Sequence, residues 1–206
     1  MNATRFDAND LAGTDFAGVT VRNGSFAASM LRGSDFSHAD LTGSSFRSSD
    51  LADASFDGAD LTDAVLTKLE LARASFRGST LVRTDFTASG LVEAQFADAT
   101  LTDVVFRKTD LRHTVFAGCT FVGVDFSYAD LSGHNLDGVS FSGVKFDHAG
   151  LKGVSFRGAI LRDVSFRTWS NRQFRTVDFA GAWMDKLTYA GLKNLGADLS
   201  KVSMLG

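Results

Sequence analysis

The sequence of 206 residues contains no proline, one cysteine, two tryptophans and two tyrosines. A lone cysteine excludes a disulfide framework and any cysteine-based metal cluster within one chain. No apolar run approaches the roughly 18 residues that a transmembrane helix needs. The first twenty residues carry Arg5, Asp7, Asp10 and Asp15 where a signal peptide would have its apolar core. We therefore expect a cytoplasmic protein with no membrane association.

Large apolar residues are abundant, and they recur at every fifth position from Phe6 to Phe166 without a slip. A small residue stands two positions before most of them, and Asp or Ser often comes directly before, as in Ala39-Asp40-Leu41. A period of five fits neither an α-helix nor a long strand. It predicts a chain that turns a corner every five residues, with two side chains of each five pointing inward.

This run resembles the pentapeptide-repeat family, whose motif is roughly A-(D/N)-(L/F)-x-x. The resemblance implies an all-β fold, a right-handed quadrilateral β-helix of about eight or more stacked coils. The absence of proline agrees with such a fold, because a proline inside a stacked ladder removes a hydrogen-bond donor. Glycine two positions after the large residue, as at Gly13 and Gly43, suits corners that need unusual backbone angles.

Four repeats per coil place the large residues in four columns that fill one core. Two facing columns are mainly Phe and begin at Phe6 and Phe16, and the two other columns are mainly Leu. We expect core packing here, in preference to an aromatic ligand channel. Two places break the pattern, and we interpret both as volume-conserving repacking where the rod could bend. They are Leu66 with Leu69, and Leu136 with His134, where a satisfied interior histidine is favoured over a binding site. Cys119 is interpreted as a small buried hydrophobe.

The end of the rod differs from its body. The spacing predicts an uninterrupted β-helix over residues 1–166, a short loop insertion over 167–173, and the last repeats with a C-terminal cap or dimerisation segment over 174–206. Residues 185–196 lose the period and predict a short capping helix that ends at Gly196. Three aromatic residues are candidate contacts of this cap or of a dimer interface: Trp169, Trp183 and Tyr189. The two interpretations are compatible.

Motifs for phosphate binding, dinucleotide binding, zinc peptidases and serine hydrolases are absent from the sequence. The four histidines lie on three faces and several coils, so a shared metal is not expected. A small-molecule enzyme would also need a pocket, for which a filled core leaves no room. The sequence therefore predicts no catalytic residue, no metal site, no cofactor and no enzymatic activity.

A net charge of −3 conceals an asymmetry along the chain. Residues 1–139 contain 19 acids and 11 bases, a net charge of −8, whereas residues 140–206 contain 5 acids and 10 bases, a net charge of +5. Most carboxylates at repeat positions are expected only to keep a face of the solenoid hydrated. The candidate acidic interaction stripes are Asp40 with Asp60, and Asp50 with Asp53 and Glu70.

The resemblance extends to function. Pentapeptide-repeat proteins of the quinolone-resistance type resemble B-DNA in size and charge, bind DNA gyrase or topoisomerase IV, and commonly dimerise through their C-terminal ends. The resemblance thus implies a non-enzymatic, DNA-mimicking modulator of a type II topoisomerase that forms a homodimer and does not itself bind nucleic acid. The chain departs from plasmid-type members in having no loop within residues 1–166, and in its small total charge. The alternative is a structural or adaptor solenoid that binds some other protein.

Overall fold

The computed structural model describes residues 4–168 and 170–206. The backbone turns a corner after every five residues, and each coil of four sides lies on the one before it. Residues 20 positions apart pair as parallel neighbours, as Asp40 does with Asp60 and Asp60 with Thr80. Backbone N–H and C=O groups are therefore satisfied between coils rather than within separate elements. The predicted right-handed β-helix with a short helical cap is confirmed.

One face of the solenoid carries regular strands, which are all parallel and lie side by side in chain order. The other faces are paired through isolated bridges. The strands are β1 (Thr80–Val82), β2 (Thr100–Thr102), β3 (Thr120–Val122), β4 (Ser140–Ser142), β5 (Ile160–Arg162), β6 (Trp183–Met184) and β7 (Ser203–Met204). The helices are a 3-10 helix (Arg172–Arg175) and α1 (Lys186–Asn194). Within residues 4–168 and 170–206, no helix has the length and apolar character to cross a membrane.

Each corner places one residue in the left-handed region of backbone space, two positions after the large apolar residue. Gly13 has φ of 66°, as the sequence predicts, but Asp53 has φ of 63° and Lys108 has φ of 57°. The corner N–H donates to the next coil, as from Asp53 to the Ala72 carbonyl at 3.0 Å. That ladder bond stabilises the left-handed conformation even at residues such as Asp53, whose side chain makes it unfavourable.

Phenylalanine fills the core in two facing columns. Phe26 lies parallel to Phe46, one coil further along, with ring centroids 4.7 Å apart and planes 2° from parallel. Phe36, in the facing column, meets Phe26 edge to face at 5.5 Å and 86°. The rings thus adopt both geometries that the aromatic quadrupole favours. The expected core is confirmed, because these side chains are fully buried.

The two breaks in the repeat have different outcomes. At the first, Leu66 and Leu69 are both buried, and Val65 still pairs with Ser45 and Asp85 on either side. The larger residue in the small position therefore compensates for the smaller residue in the Phe column. At the second break the ladder is interrupted beside His134, because the N–H groups of Phe116, Gly118 and Asn135, all in the described range, do not donate to the neighbouring coil.

The chain is lengthened by three residues between β5 and β6, because Ile160 pairs with Trp183 whereas Ser140 pairs with Ile160. The ladder survives there because a side chain replaces a peptide group. The Leu151 N–H donates to Gln173 Oε1 at 2.9 Å, and Gln173 Nε2 donates to the Ala149 carbonyl at 3.1 Å. A carboxamide has the donor and the acceptor of a peptide group, so both partners in the coil beneath remain satisfied.

Helix α1 covers the end of the core. Its N-cap is Asp185, whose Oδ1 accepts from the backbone N–H groups of Leu187 at 2.8 Å and Thr188 at 3.0 Å. Burial acts to raise the pKa of Asp185, but these N–H groups, together with the Asp163 N–H and the Thr188 hydroxyl, outweigh it and the pKa is lowered. Leu192 is fully buried against the core, and the chain leaves the helix at Gly196, where φ is 74°. The predicted capping helix is confirmed.

Candidate interaction surfaces

The aspartate that precedes the large apolar residue has a structural role in the repeat. Asp60 Oδ1 accepts from the backbone N–H of Thr62 at 2.9 Å, and Asp40 Oδ1 accepts from that of Thr42 at 3.2 Å. Such turns, in which a side chain accepts from the N–H two residues on, explain why aspartate suits this position. The outward charge of Asp40, Asp50 and Asp60 is therefore a by-product of the corner as well as a candidate recognition element.

The first candidate stripe consists of Asp40 and Asp60, which are ladder partners on the face that carries the strands in later coils. Asp40 Oδ2 lies 2.6 Å from Arg22 Nε, in an ion pair at the surface. The Thr42 hydroxyl and then the Arg22 guanidinium lower the pKa of Asp40, although burial acts against them. Asp60 has no ion pair within the described ranges.

The second candidate stripe is Asp50, Asp53 and Glu70, in which Asp50 and Glu70 are ladder partners. Asp53 binds Arg73 through two hydrogen bonds of 2.7 and 2.8 Å. Arg32 lies 3.0 Å from Asp53 and 3.6 Å from Asp50. The Arg73 guanidinium, through its hydrogen bonds, lowers the pKa of the Asp53 carboxyl. Glu70 has no ion pair among the residues that the structure describes.

The sequence predicted which acidic residues lie together in each stripe, but the prediction did not include their arginine partners. Asp53 and Arg73 are 20 positions apart and occupy equivalent corners of adjacent coils, so the coil length was the signal that could have found this pair. Arg83 binds Asp63 in the same way, at 2.6 and 2.8 Å. Exposed pairs of this kind contribute little to stability, so their main effect is to lower the local negative potential.

The C-terminal aromatic residues occupy different environments. Trp183 lies in β6 on the outer side of the solenoid, beside Ile160, and 47% of it is exposed. Tyr189 is half-buried in α1 and packs against the core. Trp169, the third predicted contact, lies outside the described residues. Two further apolar side chains are exposed in the last coil: Leu187 and Met204.

No group of three or more His, Cys, Asp or Glu side chains in the described part of the chain is placed to hold a metal ion. The one cysteine, Cys119, is buried, and burial raises the pKa of its thiol to about 11. Its sulfur lies 2.8 Å from the Phe96 carbonyl, which accepts from the thiol. A thiol with such a pKa is protonated at neutral pH and is a poor nucleophile.

Comparison with protein families finds two matches that together span most of the coils. The family model described as "Pentapeptide repeat region" matches residues 49–126 and 89–166. The model described as "Pentapeptide repeats (8 copies)" matches residues 10–47. No curated protein matches the chain.

Among solved structures, the chain is similar to HetL, a pentapeptide repeat protein involved in heterocyst differentiation regulation from the cyanobacterium Nostoc sp. strain PCC 7120. Identity is 22% over 86% of each chain, with a TM-score of 0.46. It is also similar to QnrB1, a plasmid-mediated fluoroquinolone resistance protein, with 20% identity over 99% of this chain and 91% of that one and a TM-score of 0.47. A pentapeptide repeat protein of the Arabidopsis thaliana thylakoid lumen is 31% identical over 60% of this chain and 69% of its own, with a TM-score of 0.24.

Proposed function

Because the chain belongs to the pentapeptide-repeat family, we propose that it is a non-enzymatic, cytoplasmic binding protein whose acidic shaft, residues 1–139, docks on a type II topoisomerase in place of DNA. The observation that carries the proposal is the charge asymmetry, −8 on the shaft against +5 on residues 140–206. A rigid rod with carboxylates at regular intervals suits a groove that binds phosphates.

In this proposal the acidic shaft imitates a short run of DNA phosphates rather than the full charge of a duplex. The shaft consists of about seven coils, which at about 4.8 Å each span on the order of 34 Å, over which duplex DNA carries about twenty charges. The shaft carries a net charge of −8. Asp60 and Glu70, which have no ion pair in the described residues, therefore supply most of the free negative potential of the two stripes.

The topoisomerase proposal predicts that the purified chain inhibits DNA supercoiling by gyrase and that the double variant Asp60→Asn with Glu70→Gln inhibits about tenfold less. Loss of two interfacial charges weakens binding by roughly this factor. Both amides keep the shape of the acid, and the carboxamide oxygen at position 60 can still accept from the Thr62 N–H, so the corner is retained. The measurement is a gel assay of supercoiling against concentration of the chain, at two ionic strengths.

The matched control is Asp178→Asn with Asp198→Asn, the same change in charge in the basic end. Asp178 and Asp198 make the equivalent corner bonds, to Ala180 and Ser200. This control should inhibit like the parent chain, and higher salt should weaken inhibition by both. No binding or inhibition by the parent chain at tens of micromolar would refute the topoisomerase proposal.

We further propose that the chain forms a homodimer through its C-terminal end, where Trp183, Leu187 and Met204 are exposed. Both ends that meet are basic, so apolar contacts must outweigh repulsion between them. Sedimentation equilibrium should give a dimer that added salt strengthens, whereas a head-to-tail assembly would weaken with salt. Trp183→Ser should shift the chain toward monomer, and Met30→Ser, at an exposed apolar residue in the shaft, should not. A monomer at all concentrations contradicts the proposal.

The ion pairs of Asp40, Asp50 and Asp53 favour a second candidate function, an adaptor solenoid that binds another protein. They lower the negative potential that a DNA mimic needs. The same variants separate the two functions. An adaptor would leave gyrase unaffected. In a pull-down from its native cytosol it would still bind its partner protein, and the double variant Asp60→Asn with Glu70→Gln would bind that partner equally well.

A further inference from the structure

One face of the solenoid loses its ladder between two adjacent coils, at the interface of residues 114–118 with residues 134–138, which we call the seam. Within the described residues 4–168, the N–H groups of Phe116 and Gly118 do not donate to the next coil, and that of Asn135 does not donate to the coil before. The ladder of this face is intact on both sides of the seam, with bonds of 2.8 Å from Phe96 to Val115 and from Leu136 to Ser155. The interruption is therefore confined to one interface.

The opposite face of the same two coils keeps its ladder. There the Phe106 N–H donates to the Asp125 carbonyl at 2.8 Å, and the Asp125 N–H donates to the Val104 carbonyl at 2.9 Å. The ring of Phe106 also stays parallel to that of Phe126, with centroids 5.3 Å apart and planes 6° from parallel. The two coils are therefore joined along one side and parted along the other, as a wedge.

The two faces between these extremes are joined only at the end that lies farther from the seam. On one of them the Leu111 N–H donates to the Asp130 carbonyl at 3.1 Å, whereas the N–H of His113, at the corner beside the seam, does not donate to the next coil in the described range. On the strand face, Thr120 and Ser140 are not ladder partners, although both are described and the equivalent residues of β1–β2, β2–β3 and β4–β5 are. The gap thus closes progressively toward the opposite face.

An imidazole at the corner explains the wedge. His134 occupies a small inward position, where the coils before and after have Thr114 and Val154. Its Nδ1 lies 2.9 Å from the Leu131 carbonyl, and its ring centroid lies 6.1 Å from that of Phe116. The coils part on this side because close-packed layers cannot absorb an imidazole without moving.

The aromatic column is broken at the same level. Leu136 stands between Phe116 and Phe156, where the rest of the column has rings. The plane of Phe116 is tilted 22° from that of Phe96 at a centroid distance of 5.3 Å, whereas Phe76 and Phe96 are 5° from parallel at 4.8 Å. Stacked rings therefore bridge the seam in the opposite column only.

We propose that the seam is a hinge, at which residues 4–123 and the coils that follow them rotate relative to each other. The intact ladder and stacked rings of the opposite face form the axis, and the face that carries Phe116 and Leu136 opens and closes. Most of the acidic shaft lies before the seam and the basic residues 140–206 lie after it, so the hinge sets the angle between the two. The proposal does not depend on which partner the chain binds.

The test measures distances between spin labels on the full chain by pulsed electron paramagnetic resonance. One pair, Ala17→Cys with Arg157→Cys, spans the seam on the face that opens. The other pair, Ala27→Cys with Arg167→Cys, spans the same number of coils on the opposite face. Cys119 stays in place and unlabelled, because its buried thiol is protonated at neutral pH. An excess of unlabelled chain removes the distances between chains.

The distance distribution of the pair on the opening face should be about twice as broad as that of the pair on the opposite face, because only the opening face moves. The double variant His134→Thr with Leu136→Phe reproduces Thr114 and Phe116 of the coil before, and should close the seam. It should shorten the mean distance on the opening face and narrow that distribution to the width of the opposite pair. The distribution on the opposite face should not change.

Equal widths for the two pairs in the parent chain would overturn the hinge, because they would indicate a fixed bend. Hydrogen exchange of the parent chain adds a reading that needs no substitution. The amides of Phe116, Gly118 and Asn135 should exchange rapidly, whereas those of Phe106 and Asp125 on the opposite face should be protected. Equal protection of all five amides would mean that the ladder is continuous in solution and would also overturn the proposal. If the double variant fails to fold, the two label pairs in the parent chain decide.

Discussion

Replacing Phe86 by alanine is expected to lower the free energy of unfolding by about 3–5 kcal/mol. The ring is fully buried, lies parallel to Phe106 at 5.1 Å, and meets Phe76 and Phe96 edge to face at 5.4 and 5.8 Å. Alanine would leave a cavity between coils whose spacing the backbone ladder fixes, so the surrounding layers cannot collapse to fill it. Urea unfolding followed by far-UV circular dichroism measures the change.

Phe86→Leu is the control, because the chain itself has leucine at Leu66 in the same column, one coil earlier. Leucine keeps most of the volume and should cost less than about 1.5 kcal/mol. The difference between the two variants isolates cavity formation from loss of the aromatic contacts. Equal costs for alanine and leucine would contradict the argument that filled volume in the column holds the coils together.

Replacing Leu192 by alanine is expected to cost about 2–5 kcal/mol and to act mainly on the C-terminal end. Leu192 is the fully buried residue of α1, and a nine-residue helix has little stability without its packed face. Detachment of α1 would expose the last layer of the core, including Phe166. Hydrogen exchange should therefore accelerate for amides in α1 and β5 well before it changes in β1.

Leu187→Ala provides the matched control within α1 when unfolding is measured at a concentration at which the chain is monomeric, because 79% of Leu187 is exposed in the single chain. The same chemical change at that position should alter the free energy of unfolding by less than about 0.5 kcal/mol. If Leu187→Ala destabilised the chain as much as Leu192→Ala, the buried face of the helix would not be what anchors it.

The period of five, together with the four repeats per coil that the family resemblance implies, was sufficient to predict the columns of the core. A corner every five residues turns the large residue and the one two positions before it inward, and four such repeats per coil then place Phe26 above Phe46. The cap was predictable for a related reason, since loss of the period at residue 185 together with Gly196 indicates where a different structure begins and ends.

Features that depend on contacts between side chains could not be predicted in the same way. The pairing of Asp53 with Arg73 requires that a flexible arginine fold back along the face, which the repeat permits but does not dictate. The opening at His134 depends on whether the corner or the aromatic column absorbs the extra volume. At Leu69 the core absorbed it, and at His134 the ladder between coils separated, although the two substitutions look alike in sequence.

The carboxamide of Gln173 has an implication for how such a chain can change in length. This side chain supplies the donor and the acceptor that a backbone peptide supplies elsewhere. The backbone of the insertion beside Gln173 therefore does not itself have to hydrogen-bond to Ala149 and Leu151 in the coil beneath. Residues can be gained or lost there while β5 and β6 keep their alignment. The solenoid therefore contains a position where evolution, or an engineer, can graft a segment without shifting the coils on either side.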